Sequence, residues 1–237
     1  MLSKPHLVVA QAWRWWLRAK FLLTQRRRHD RLVIDRAAGR QFVVLPGVFN
    51  PALFYSSEFL AAALEGELAP AGLRVLDLGT GSGVLAIAAA RSARQVVAVD
   101  INPAAVRCAR INALLHRVEQ AVEVREGDLF APAAGERFDL VLFNPPYYRG
   151  APRNDLDRAF RAVDVLERFA AGLGGALAPG GRALLVLSTN SEQAALLGLL
   201  AGQGFASRPL LRQDKISETL TIYEVTAERG GRDARAV

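Results

Sequence analysis

From residue 74 to residue 202 the chain alternates between short apolar runs and longer amphipathic stretches. That alternation restricts its fold more than any other feature. Strand-like runs fall at 74–79, 96–100, 122–127, 138–143 and 182–188, and helical patterns at 83–91, 103–115, 160–177 and 192–202. The runs are rich in Val and Leu on both alternate positions, as strands buried on both faces require. Strand–helix alternation predicts an α/β, Rossmann-like fold, a mostly parallel sheet with helices on both faces. Residues 206–213 and 219–227 are two successive strands and predict an antiparallel hairpin at one sheet edge.

Before this body, residues 31–36 and 41–45 flank Ala37-Ala38-Gly39-Arg40 and predict a β-hairpin. A helix is expected from Ser56 or Ser57 to about Leu68, with Ser as its N-cap. Residues 7–28 read as a basic amphipathic helix carrying Trp13, Trp15 and Trp16. The expected organisation is an N-terminal basic helix and hairpin (1–47), a main domain (48–227) and a disordered tail (228–237).

Charge is unevenly placed. Residues 1–40 hold ten Lys or Arg against Asp30 and Asp35, a balance of +8 in a chain of net charge +7. The body is therefore close to neutral, and an acidic partner is expected at the N-terminal segment. Three readings of that segment stand: packing of Trp and Leu on the domain, contact with RNA or the ribosome, or contact with an anionic membrane. One cysteine and three scattered histidines give no metal-ligand cluster, so no metal is expected. The single cysteine excludes an internal disulfide. The apolar start is interrupted by Lys4, Arg14, Arg18 and Lys20, and no uncharged run reaches the roughly 18 residues of a membrane span. These features predict a cytoplasmic protein.

Two motifs carry chemistry. The first is Val75-Leu76-Asp77-Leu78-Gly79-Thr80-Gly81-Ser82-Gly83, between a strand and a helix. Gly79, Gly81 and Gly83 permit a sharp turn and close approach of a ligand to the backbone. Asp100 ends the second strand, where an acid can accept both hydroxyls of a ribose, and Asp128 ends the third. With Asp77, three carboxylates rim the crevice where open α/β sheets bind ligands. A dinucleotide pyrophosphate needs donors and positive potential. An acidic rim suits a ligand carrying a sulfonium and an amino group, and S-adenosylmethionine (product S-adenosylhomocysteine) is the expected cofactor.

The second motif is Asn144-Pro145-Pro146-Tyr147, delivered to the same sheet edge by the strand 138–143. The prolines fix the backbone and leave carbonyls without N–H partners. The Asn144 side-chain oxygen and the Pro145 carbonyl can accept both hydrogens of one NH₂ group, and Tyr147 can stack on a flat target. The lone pair of an amide or aromatic amine is delocalised. Two acceptors on its hydrogens favour the developing positive charge on nitrogen, so in-line placement matters more than a strong base.

These motifs, with Val99-Asp100, Gly127-Asp128-Leu129 and Pro179-Gly180-Gly181, resemble class I methyltransferases of the small-domain superfamily. Within it the chain looks most like HemK-type glutamine methyltransferases that act on translation release factors. The resemblance covers about residues 45–225 and extends to Ser217-Glu218-Thr219-Leu220-Thr221-Ile222-Tyr223. It implies a seven-stranded sheet with its last strand antiparallel. It implies cofactor contacts from Asp77, Gly79, Thr80, Gly81, Gly83, Asp100 (ribose), Ile101, Asp128 (adenine amino group), Leu129 and Asn144. Phe54, Tyr55, Tyr147 and Tyr148 are expected at the substrate. In that family a Pro-x-x-(Asp/Glu)-Thr element precedes the first strand; here it reads Pro51-Ala52-Leu53-Phe54-Tyr55-Ser56-Ser57-Glu58. The expected substrate is a protein glutamine N5, with adenine N6 or guanine N2 of RNA or DNA, and a small metabolite, as alternatives. A non-enzymatic binding protein would not need the second motif beside the first.

Overall fold

The computed structural model describes residues 31–53, 55–146, 148–150, 161–216 and 218–228. The expected helix at 7–28 and the C-terminal tail from residue 229 lie outside them.

The first element is a hairpin of β1 (Val33–Ala37) and β2 (Arg40–Val44). Ala38 and Gly39 turn it with φ of 47° and 74°, the double positive φ that suits a right-twisted two-residue loop. A short 3₁₀ turn, Pro51–Leu53, leads to α1 (Tyr55–Glu65). Then follow β3 (Arg74–Leu78), α2 (Val84–Ala89), β4 (Gln95–Asp100), α3 (Pro103–Leu115), β5 (Val122–Glu126) and β6 (Phe138–Phe143). Two short strands, β7 (Tyr148–Arg149) and β8 (Arg161–Ala162), precede α4 (Val165–Ala176). The chain continues through β9 (Leu177–Ser188), α5 (Gln193–Gly202), β10 (Phe205–Asp214) and β11 (Thr219–Ala227).

Seven strands form one sheet in the order β10-β11-β9-β6-β3-β4-β5. β9, β6, β3, β4 and β5 are parallel, and β11 pairs antiparallel with both β9 and β10. The last strand therefore runs against the others, as the resemblance implies. Alternation within strands sets the two cores. Val75, Val96 and Ala98 pack under α1, α2 and α3 on one face. Leu76, Leu78, Val97 and Val99 pack under α4 and α5 on the other. Apolar side chains on both faces are what a sheet covered by helices on both sides demands.

Boundaries differ from the sequence expectation in two places that matter for the site. Ser56 and Ser57 are inside the first turn of α1 rather than N-capping it. The helix expected from 160 begins at Val165, because residues 161–162 pair with β7 instead.

The hairpin is fastened to the body. Ala37 and Phe42 are buried in the same cluster as α1 and α2. The edge of β2 is read by Asn112 of α3, which is fully buried. Its Oδ1 accepts from Val43 N at 2.8 Å, and its Nδ2 donates to Val43 O at 2.7 Å and to Ser82 O at 2.9 Å. One amide side chain thus ties the hairpin to the glycine loop. Asn112→Ala removes all three of these hydrogen bonds and leaves Val43 O with only the Cys108 thiol at 3.1 Å, at a cost of about 2–3 kcal/mol. The expected result is a thermal midpoint about 5–10 °C lower and faster hydrogen exchange at the Val43 amide. Unchanged exchange there would show that the hairpin is held by its apolar contacts alone.

Candidate active site

The loops leaving β3, β4, β5 and β6 surround a cavity of about 390 Å³ at the C-terminal end of the parallel strands, where ligands bind in open α/β sheets. Gly79–Ser82, Asp100–Asn102, Gly127–Leu129 and Asn144–Pro146 line it, with Val163–Val165 and Arg168 across from them. Gly47, Phe49, Pro51 and Ser57, all ahead of β3 in sequence, complete the wall.

The glycine loop is a left-handed turn, with φ of 66° at Gly79, 58° at Gly81 and 87° at Gly83. A Cβ at Gly79 or Gly81 would have no neighbour within 4 Å, whereas one at Gly83 would stand 3.2 Å from Ala109 Cα. The first two glycines therefore leave room at the loop surface. Gly83 lies behind the cavity wall and lets α2 approach α3.

Asp100 stitches two loops together. Its Oδ2 accepts from Gly81 N at 2.8 Å and its Oδ1 from Asn102 N at 2.9 Å. Burial pushes its pKa up, and the backbone N–H groups of Asn102, Gly81 and Ile101 pull the other way. Each oxygen keeps a lone pair for a further donor. Asn102 N-caps α3 through Ala104 N at 2.9 Å and donates to Gly47 O at 3.0 Å, which brings the segment after the hairpin to the cavity.

Asp77 sits beneath the loop, wholly buried and outside the cavity wall. Its Oδ2 accepts from Thr80 Oγ1 at 2.6 Å, while Oδ1 has no hydrogen-bond partner. Desolvation raises its pKa to about 7; the Thr80 hydroxyl opposes the shift and the charge of Asp100 adds to it. An orphaned buried carboxylate oxygen, a second, half-buried carboxylate in Asp100, and open room over Gly79 and Gly81 fit a cationic nucleoside-bearing ligand such as S-adenosylmethionine.

The Asn144 side chain has a defined orientation. Its Nδ2 donates to Ser56 Oγ at 3.2 Å and to Ser57 Oγ at 3.1 Å. Both serines are buried. With the NH₂ end committed, Oδ1 is the end left to accept from a ligand. Nothing in the chain around Ser56 and Ser57 hints at this role, because a serine pair ahead of an apolar run reads as a helix cap. Arg168 was equally illegible, lying far along the chain on a helix of its own. Among the substrate candidates, Phe54 and Tyr147 lie outside the described residues, and Tyr148 is described only as β7 backbone. Tyr55 is exposed, with Lys215 Nζ 4.4 Å from its ring centre. Among the described residues no three His, Cys, Asp or Glu side chains group as metal ligands, and no helix is long and apolar enough to cross a membrane.

The fold and the paired motifs define a methyltransferase-type α/β domain, and comparison with known proteins gives the family. Residues 39–207 match the methyltransferase small domain, and the chain belongs to that family. A release factor glutamine methyltransferase of Koribacter versatilis is 37% identical over 60% of this chain and 56% of its own length. A ribosomal protein uL3 glutamine methyltransferase of Bradyrhizobium diazoefficiens is 34% identical over 65% of this chain and 50% of its own. The chain thus spans little more than half the length of such relatives. Among solved structures, the Thermus thermophilus 16S rRNA N2 G1207 methyltransferase, with AdoMet and guanosine, is 28% identical. It superposes with a TM-score of 0.59 over 84% of this chain and 50% of that one.

The raised Asp77 pKa has a testable sign. Between the ordinary carboxyl value of 3.8 and about 7, the folded protein holds a proton that the unfolded chain has released. This contribution to stability is complete below pH 4 and is lost as pH rises through 7, at up to about 1.4 kcal/mol per pH unit. Asp77→Asn keeps an acceptor for Thr80 and cannot ionise. Urea midpoints at pH 5 and pH 8 should differ less in the variant than in the parent; an equal difference would assign the pH dependence elsewhere.

Proposed function

We propose that the protein is an S-adenosylmethionine-dependent methyltransferase acting on a planar nitrogen, and that its substrate is a glutamine side-chain amide of a protein. The observation that carries this reading is the orientation of Asn144, whose NH₂ end is held by Ser56 and Ser57.

Bound in the cavity, S-adenosylmethionine supplies an electrophilic methyl group on a sulfonium. The residues of the chain do the rest. Asp100 accepts from ribose hydroxyls through the lone pairs its two backbone donors leave open, and Ile101 and Leu129 line the base. Gly79, Thr80 and Gly81 would offer backbone at close range to the methionine part, and the positive charge of the bound ligand would favour the ionised form of Asp77 beneath them. Asn144 Oδ1 and the Pro145 carbonyl each accept one hydrogen of the substrate NH₂. That grip would favour the positive charge that nitrogen gains as the N–C bond forms and the sulfonium S–C bond breaks, and one N–H proton would then be lost to water from the acceptor side. Position rather than a strong base drives the transfer. Tyr147, with Phe54, Tyr55 and Tyr148, is proposed to cover the substrate, and Pro146 to fix the turn.

Protein glutamine is favoured because the curated relatives at 34–37% identity are named for glutamine methylation of a release factor or a ribosomal protein. Such a substrate would place the work in the cytoplasm, and the basic N-terminal segment suits contact with a ribonucleoprotein. A nucleobase amine is the second reading, supported by the 28% identical rRNA guanine-N2 enzyme.

Tritiated S-adenosylmethionine and cell extract separate these readings: labelled product should vanish with protease and survive nuclease. Loss with nuclease instead would move the assignment to a nucleobase. Asn144→Ala should bind S-adenosylhomocysteine as the parent does while turnover falls about 10²–10³-fold, the scale for removing one preorganised partner of developing charge. Turnover within a factor of two of the parent would remove Asn144 from the chemistry.

A further inference from the structure

Arg168 stands in the cavity wall with no part in the chemistry above. Its guanidinium Nη1 donates to Asp128 Oδ2, and its Nε donates to Asp164 Oδ1 at 3.0 Å. The pair with Asp128 is close to half exposed, at 45% and 42%. Ion pairs so exposed contribute little to stability, so stability alone does not account for two carboxylates converging on one arginine inside a ligand cavity.

The surroundings fix both partners. Gly127 N donates to Asp100 O at 2.9 Å, and Ala131 N to Asp128 O at 3.0 Å. A Cβ at Gly127 would lie 2.4 Å from Pro132 Cγ, and Leu129 holds a φ of 46°. The Asp128 backbone is therefore set by its neighbours. On the other side, Phe130 stacks on Phe169 with ring centres 5.8 Å apart and fills the space where Gly172 has no side chain. This contact seats the first turn of α4 against the loop after β5, with Arg168 one residue before Phe169.

We propose that Arg168 is a positioning residue for base recognition: by engaging Oδ2 of Asp128 and bracing on Asp164, it turns Asp128 Oδ1 into the cavity as the acceptor for the exocyclic amine of adenine. The inference rests on the cavity being an S-adenosylmethionine site. A carboxylate engaged through Oδ2 presents its other oxygen, with both lone pairs free, to a further donor. That makes it selective for a purine carrying a donor at position 6, and it repels a purine carrying an oxygen there.

Calorimetry with S-adenosylhomocysteine and S-inosylhomocysteine, which differ at position 6 and in the hydrogen that the inosine base carries on the neighbouring N1, tests it without any methyl acceptor. The parent should prefer the adenine ligand. Arg168→Gln should weaken the adenine ligand about tenfold and the inosine ligand much less, so that the preference shrinks. Arg168→Lys should restore part of the preference. In an Asp128→Asn background Arg168→Gln should add little. Equal or tighter adenine binding by Arg168→Gln would make Arg168 an obstruction and overturn the proposal. Equal losses for both ligands would make its role structural and overturn it as well. If the parent binds neither ligand, the cofactor reading fails, and the proposal with it. Should Arg168→Gln not fold, the ligand ratio in Arg168→Lys, which keeps the charge, decides the question.

Discussion

The arrangement of the site depends on one half-buried carboxylate. Asp100 accepts from Gly81 on the loop after β3 and from Asn102 on the loop after its own strand. Its carbonyl accepts from Gly127 on the loop after β5. Three loops from three neighbouring strands thus converge on one residue. A buried charge without such partners would be strongly unfavourable. Backbone N–H groups are well suited to offset the cost, because they cannot swing away as side chains can. The arrangement also leaves lone pairs unspent and aimed at the cavity. Loop order and free acceptor capacity at the cavity come from the same atoms.

Asn144 follows a similar logic with neutral groups. An asparagine at the end of β6 could present either end of its amide to a ligand, and only the partners behind it decide which. Ser56 and Ser57 occupy the first turn of α1, where hydroxyls can lie close to the strand end opposite. Both accept from the Asn144 NH₂, and with their own hydrogens directed elsewhere the amide oxygen is the end turned away from them. The orientation is therefore a property of the joint between α1 and β6. Two neutral hydroxyls do the holding here, without adding another acidic group beside the cavity.

What was legible in the sequence is what depends on period and on glycine. Val75-Leu76 and Val96-Val97 alternate between two apolar faces, which announces a sheet covered on both sides. Gly79 and Gly81 announce a left-handed turn at the end of the first buried strand. The illegible part consists of pairings between residues far apart in the chain. Nothing near Ser57 points to Asn144, and nothing near Asp128 points to Arg168, because each pair meets only after the sheet has ordered its strands. Asn112 is an intermediate case. A polar amide on the apolar side of α3 marks a buried partner, but only the structure shows that the partner is the edge of β2. Gly83 shows a different limit: its spacing matches a ligand loop, yet its hydrogen faces Ala109 and its place in the motif serves helix packing.

The wall of the cavity has two origins, and this bears on how specificity is built. The loops after β3, β4 and β5 supply the carboxylates and the open backbone, and they are locked to one another through Asp100. Gly47, Phe49 and Pro51 come instead from the stretch between the hairpin and α1, and Ser57 from the first turn of α1, into which that stretch leads. That stretch is held by Asn102 at Gly47 and, through Asn50, by the Asp35 carboxylate and Ala52 N. The hairpin in turn hangs on Asn112. The hydrogen bonds that hold Asn144 thus start on a segment that is itself fastened to α3, at the far side of the cofactor pocket. Changes in that segment can reshape the acceptor side of the cavity while Asp77, Asp100 and the glycine turn keep their geometry. The two parts of the wall are thus fastened by different hydrogen bonds, one set centred on Asp100 and the other on Asn102, Asn50 and Asn112.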